Sequence, residues 1–207
     1  MKKKLITLMA ICTTALSVWA GYMPYYSNAI PAQTLGVFQV TDTLRVYESP
    51  EDKAKEKFVL EFNYNDMPEG VFAAFVPEKK LSFLYVTDVG EGWIEVIYDK
   101  EKNLRGWIKL EDKFLFSSWL TFYNMYGRKY GLKLMKDLPE EYKVLKSAPE
   151  DDAQVVSRIN YPQMIKLTTL RGNWALVSVL DMDKTPKTGF LKWRDSNGAI
   201  YAFPEIK

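Results

Sequence analysis

The chain has no histidine, and its single cysteine, Cys12, sits in an apolar N-terminal stretch. Without histidine there is no imidazole to serve as the base of a Ser–His or Cys–His pair, and no imidazole metal ligand. With one cysteine there is neither an intrachain disulfide nor a thiolate zinc cluster. A domain so composed stands on its hydrophobic core. A dominant charge sign is also missing. The net charge is +2, and Lys2, Lys3 and Lys4 account for three of the positives; the remainder carries 25 basic against 26 acidic residues. A near-neutral body lacks the basic footprint of a nucleic-acid binder, so no nucleic-acid partner is expected. Basic and aromatic residues mix only briefly, at Arg128-Lys129-Tyr130.

The N-terminus reads as a secretory signal and leader over residues 1–29, and the protein is expected to be exported, periplasmic or secreted. Lys2–Lys4 form the charged region and Leu5 to Trp19 an apolar or small run. Val18-Trp19-Ala20 and Ser27-Asn28-Ala29 are the two cleavage candidates. The alternatives are an uncleaved anchor, though the run is short of the roughly 20 residues of a full span, and a lipoprotein. For the latter, Ile11 stands where a Gly or Ala should precede Cys12. A membrane is a partner only if this segment stays uncleaved.

What the chain has in quantity is short apolar runs with turns between them. Trp93-Ile94-Glu95-Val96-Ile97-Tyr98 and Trp107-Ile108-Lys109-Leu110, each introduced by a glycine, flank a charged centre and predict a β-hairpin. The pattern recurs as Gly172-Asn173-Trp174 through Val179, a polar turn, and Gly189-Phe190-Leu191-Lys192. A second echo links Leu44-Arg45-Val46-Tyr47-Glu48-Ser49-Pro50-Glu51-Asp52 to the stretch Tyr142–Asp151, aligned with Val46 on Val144 and one inserted residue. Order, spacing and residue type agree, which predicts a tandem duplication of a small β unit. The two echoes have different offsets, so the first copy holds an insertion, assigned to 58–77. Between the copies, residues 113–131 form an aromatic connector. Trp119, Leu120, Phe122, Tyr123, Tyr126 and Tyr130 fit a helical period with Ser117 or Ser118 as cap, and a strand pair competes. At the C-terminus, Asn197-Gly198 predicts a tight primed hairpin turn between Gly189–Trp193 and Ile200–Phe203.

Each half resembles a bacterial SH3 (SH3b) domain. The first carries Leu44, Val46, Pro50, Gly92-Trp93-Ile94-Glu95-Val96 and Gly106-Trp107-Ile108; the second carries Val144, Pro149, Trp174-Ala175-Leu176-Val177 and Gly189-Phe190-Leu191. Asn173 replaces the first copy's Gly92, and the family's Gly-rich turn after the opening strand is absent from both. The resemblance implies a mainly β fold of two small SH3-like barrels, at 35–112 and 132–207. It further implies a non-catalytic module of the cell envelope binding peptidoglycan stem peptide or an envelope protein. A rigid scaffold with no small ligand is the alternative.

No enzyme activity, cofactor or metal is expected. No carboxylate pair sits in a distinctive motif, and Asp181-x-Asp183 lacks the glycine and distal glutamate of an EF-hand loop. The tryptophans of the repeated strands, with Phe190, are expected to point into the cores. Tyr47, Tyr98, Trp193 and Tyr201 are the aromatics expected to be exposed for ligand contact, with Glu95 and Asp99 to meet a cation or peptide amine.

Overall fold

The computed structural model describes residues 34–65, 70–112, 115–160, 164–180 and 184–207. The leader with its cleavage positions, Cys12, most of the 66–70 turn, and Asp181 and Asp183 lie outside these residues. The fold is mainly β. In chain order the strands are β1 (Gly36–Gln39), β2 (Leu44–Tyr47), β3 (Glu56–Leu60), β4 (Ala74–Val76), β5 (Leu81–Gly90), β6 (Trp93–Asp99), β7 (Leu104–Lys109) and β8 (Phe116–Ser118). They continue as β9 (Leu132–Leu134), β10 (Val144–Lys146), β11 (Val155–Arg158), β12 (Lys166–Arg171), β13 (Trp174–Leu180), β14 (Pro186–Lys192) and β15 (Ala202–Pro204). No helix among the described residues is long and apolar enough to cross a membrane.

The first large sheet runs β3-β2-β7-β6-β5-β1-β8, with β4 also pairing β5; the second runs β11-β10-β14-β13-β12. Strands β2, β3, β5, β6 and β7 thus occupy the same places in the first sheet as β10, β11, β12, β13 and β14 in the second. The irregularities match as well. The β2–β3 ladder shifts register between Val46 and Tyr47, and the β10–β11 ladder between Leu145 and Lys146. Tyr47 lies opposite Trp107, and Lys146 opposite Phe190. These pairings set Val46 against Leu145, one residue away from the Val144 chosen on sequence. The shifted alignment needs no inserted residue, and Pro50-Glu51-Asp52 falls on Pro149-Glu150-Asp151. Val46 and Val144 share a side chain, but the strand pairing puts Leu145, fully inaccessible like Val46, at the matching place, and Val144 is buried at 7% exposure.

The insertion also starts later than expected. Phe58 to Leu60 belong to β3, which has β11 as its counterpart, so the added chain is 61–80. It carries β4, a 3-10 turn (Pro77–Lys79) and the aromatics Phe62, Tyr64, Phe72 and Phe75, which pack ring against ring over the first core. The connector is helical after a short strand: β8 adds to β1, and the chain then turns through α1 (Trp119–Phe122), a π-helical turn (Tyr123–Gly127) and α2 (Arg128–Tyr130). Ser118 is the cap, its side chain accepting from the Thr121 amide at 3.3 Å. The C-terminal hairpin is looser than predicted. Only Arg194 and Ile200 bridge it, and Asp195 Oδ1 accepts from the amides of Asn197 and Ala199. Asn197 is not at positive φ, so the two-residue primed turn does not form; β15 leaves to pair with β9 instead.

Two cores result. One lies under the first sheet, around Phe38, Val46, Phe72, Leu84, Ile94, Val96 and Ile108. The other joins both sheets through the helix: Trp119, Phe122 and Tyr123 meet Phe83 and Tyr85 of β5 on one side and Trp193 and Phe203 on the other.

The insertion is pinned to the β6–β7 turn by Lys100, whose amide donates to Gly70 O (2.9 Å) and whose Nζ donates to Phe72 O (2.6 Å). Burial pushes its ammonium down to about 8, against a small opposing pull from Glu101. The unfolded chain therefore holds this proton up to its ordinary value near 10.5, and the folded chain releases it earlier. Stability from this group rises with pH between those two values. Denaturant unfolding of the native chain and of Lys100→Met is expected to show the native chain gaining on the variant from pH 8 to pH 10. Parallel curves would contradict the buried ammonium.

Candidate functional site

Trp93 opens β6 and Trp174 opens β13. Side chains alternate along a strand. Ile94 and Val96 enter the first core and Ala175, Val177 and Val179 the second, so both tryptophans face the other way. They are buried as expected, but belong to neither packed core cluster. They are only 8% and 9% exposed, because neighbouring side chains cover them. Lys109 Nζ stands 5.9 Å from the Trp93 ring centroid and Lys192 Nζ 5.7 Å from that of Trp174, within cation–π reach. Each lysine is in turn held by an aspartate from the turn after the opening strand. Lys109 Nζ lies 2.7 Å from Asp52 Oδ1, and Lys192 Nζ lies 2.7 Å from Asp151 Oδ1 and 2.8 Å from its Oδ2. The Asp52 hydrogen bond raises the Lys109 pKa above its ordinary value. A Trp–Lys–Asp group therefore stands at the same place on the outer face of both sheets.

Local sequence explains the geometry. Gly106 and Gly189 let the opening strand cross tightly onto the final one. A Cβ on Gly106 would stand 2.9 Å from Tyr47 O, and one on Gly189 2.9 Å from Lys146 O and 3.0 Å from Leu145 Cβ. That crossing carries the aspartate turn over to the lysine three residues further along the final strand. The two outer faces then diverge. Tyr47, Trp107 and Glu95 form one row across the first sheet, whereas the matching row in the second is Lys146, Phe190 and Leu176. Tyr47 sets its ring against Trp93, centroids 5.6 Å apart. Lys146 instead turns its amine to the carbonyls of Asp151 and Ala153, both at 3.1 Å. A cleft of about 220 Å³ lies beside Trp174, walled by Glu141, Tyr142, Val144, Lys146, Asp151 and Lys192.

The residues singled out from sequence fall in three places. Tyr47 and Glu95 share the outer row, flanking Trp107; the Glu95 carboxylate accepts from Thr87 Oγ1 at 2.5 Å. Tyr98 and Asp99 lie at the far end of β6. Tyr98 is 7% exposed and stacks on Phe58, so it is a core residue. Asp99 caps the β6–β7 turn, and the Lys102 amide, at 2.9 Å, holds its carboxyl below the usual carboxylate range. Trp193 and Tyr201 are 1% and 2% exposed. Trp193 is locked in the shared core with its indole N–H on Gly172 O (3.0 Å), and Tyr201 stacks on Tyr142 and reaches Asp195. Exposure was the wrong expectation for Tyr98, Trp193 and Tyr201: Tyr98 faces the first core with Ile94 and Val96 under Phe58, the helix covers Trp193, and Tyr142 covers Tyr201. The pairing of Asp52 with Lys109 and of Asp151 with Lys192 escaped the sequence reading, which took the acidic turn at Asp151 as solvated. Their signal was available in the recurrence of Pro-Glu-Asp with Gly-aromatic-aliphatic-Lys. Among the described residues, no group of three or more acidic or sulfur ligands is placed to hold a metal.

No family model matches the chain, and no curated protein matches it in sequence.

Small-to-large changes at a tight crossing cost about 1–3 kcal/mol. Gly106→Ala and Gly189→Ala are each expected to lose stability in that range by urea unfolding, with loss of the near-ultraviolet tryptophan signal of the affected sheet. A neutral outcome at both glycines would contradict the crossing.

Proposed function

We propose that the protein is an exported, non-catalytic binding protein of the bacterial cell envelope, holding an extended peptide on the outer face of its sheets. Peptidoglycan stem peptide, or a segment of an envelope protein, is the partner class. The observation that carries this reading is the Trp–Lys–Asp group on both outer faces, opened in the second sheet into the cleft beside Trp174. An aromatic wall with two lysines and two carboxylates around it suits a ligand that carries amines, carboxylates and apolar stems together, as short peptides do. A buried aromatic anchor at such a site is worth about 2 kcal/mol or more, roughly thirtyfold in affinity.

The alternative, a rigid scaffold with no small ligand, draws support from the aromatic core that joins the two sheets. Co-sedimentation with purified sacculi at moderate salt separates the two. Enrichment over a cellulose control, falling at least tenfold in Trp174→Ala, is the expected result. Equal recovery from sacculi and control would leave the scaffold reading standing. N-terminal sequencing of the exported chain tests the leader, with Ala20 or Ala29 as the expected cleavage point.

A further inference from the structure

A second cavity, of about 380 Å³, opens where the two sheets meet the start of the helix. Thr34, Leu35, Trp119, Leu120, Asn173 and Arg194 line it. It shares no lining residue with the cleft beside Trp174. Its charged lining residues are Arg194 and Asp195. Arg194 is held by neutral groups. Nε donates to Asn173 Oδ1 at 2.9 Å and Nη1 to Thr34 O at 3.3 Å, and the guanidinium lies 4.6 Å from the Trp193 ring centroid. All of these partners are neutral. The acid next in sequence, Asp195, also lines the cavity, but its carboxylate is engaged elsewhere, with Oδ1 accepting from the Asn197 and Ala199 amides and Oδ2 lying 3.2 Å from the Tyr201 hydroxyl. Among the described residues, no carboxylate forms an ion pair with Arg194.

A half-buried guanidinium with neutral partners is poorly compensated. Burial lowers its pKa, and Tyr123 opposes that. Arginine offers five N–H donors in a planar fork, and two are engaged here. The fork matches a carboxylate, which accepts two parallel bonds. Around it, Leu35, Trp119 and Leu120 supply apolar wall, and Asn173 supplies an amide. The volume is at the small end of the roughly 300–1,000 Å³ range of ligand pockets.

We propose that this cavity binds a small carboxylate with an apolar substituent, of the size of an acylated amino acid, through Arg194. The same chemistry is offered by a free acid and by the C-terminal end of a peptide.

Titration of the full chain, followed by calorimetry and by amide chemical shifts, tests this with four probes: N-acetylalanine, N-acetylalaninamide, a tripeptide ending in alanine, and inorganic phosphate. N-acetylalanine is expected to bind saturably and its amide at least tenfold more weakly. Arg194→Gln and Leu120→Glu are each expected to weaken the acid at least tenfold. The second variant sets a competing carboxylate at an exposed rim position, 56% accessible, and keeps the test alive if the first fails to fold. Tripeptide affinity equal to or above that of the acid assigns the site to chain ends; binding of the small acid alone assigns it to free carboxylates. No saturable binding of either carboxylate, equal binding of the amide, preference for phosphate, or unchanged binding in a folded variant would each overturn the proposal.

Discussion

The two large sheets share no ladder hydrogen bonds among the described residues; what couples them is an aromatic wedge. Trp119, Phe122, Tyr123 and Tyr126 recur at intervals of three and four along the connector, which places them on one helical face. The first sheet offers Phe83 and Tyr85 to that face, and the second half offers Trp193 and Phe203. Two polar atoms of this wedge have backbone partners. The Trp119 indole donates to Thr34 O at 2.7 Å and the Tyr123 hydroxyl to Ala202 O at 2.5 Å. Those two bonds tie the start of the described chain and its last strand to one helix. Burial raises the Tyr123 pKa well above its ordinary value, so the phenol stays neutral and keeps donating. An unmet hydroxyl at this depth would cost about 1–3 kcal/mol.

The wedge also decides which surfaces are free. The second sheet gives its inner face, Ala175, Val177 and Val179, to the shared core, and its opposite face bears Trp174 and Lys192. The first sheet uses β1 and β8 to reach the helix and the 61–80 insertion to close its own core. The outer faces are what remain, and there the two halves keep Trp–Lys–Asp while changing the row beside it. Tyr47 and Glu95 make the first row aromatic and acidic; Lys146 and Leu176 make the second basic and aliphatic. Two sheets with one strand order thus carry different chemistry on their outer faces.

The sequence made the strands, the repeated order of motifs and the helical connector legible, because period-two and period-3.6 patterns report which face of each element is buried. It was misleading wherever burial came from distant chain. Tyr98, Trp193 and Tyr201 look like outward aromatics on isolated hairpins, and Phe58, the helix and Tyr142 cover them. The one-residue misalignment at Val144 arose because identity of side chain was followed where the strand pairing decides the match. Asn197-Gly198 favours a tight turn by itself, but Asp195 caps the loop from within and β15 is drawn to β9, leaving no second strand to demand that turn. The Lys–Asp pairs were hidden because each joins elements more than 40 residues apart.

Hydrogen exchange measured residue by residue tests the coupling of the two sheets most directly. If the aromatic wedge makes one cooperative body, the slowest amides of β6 and β13 open with the same free energy and the same denaturant dependence, and Trp119→Ala separates them. Central amides of one sheet exchanging through an opening that leaves the other protected in the native chain would contradict it.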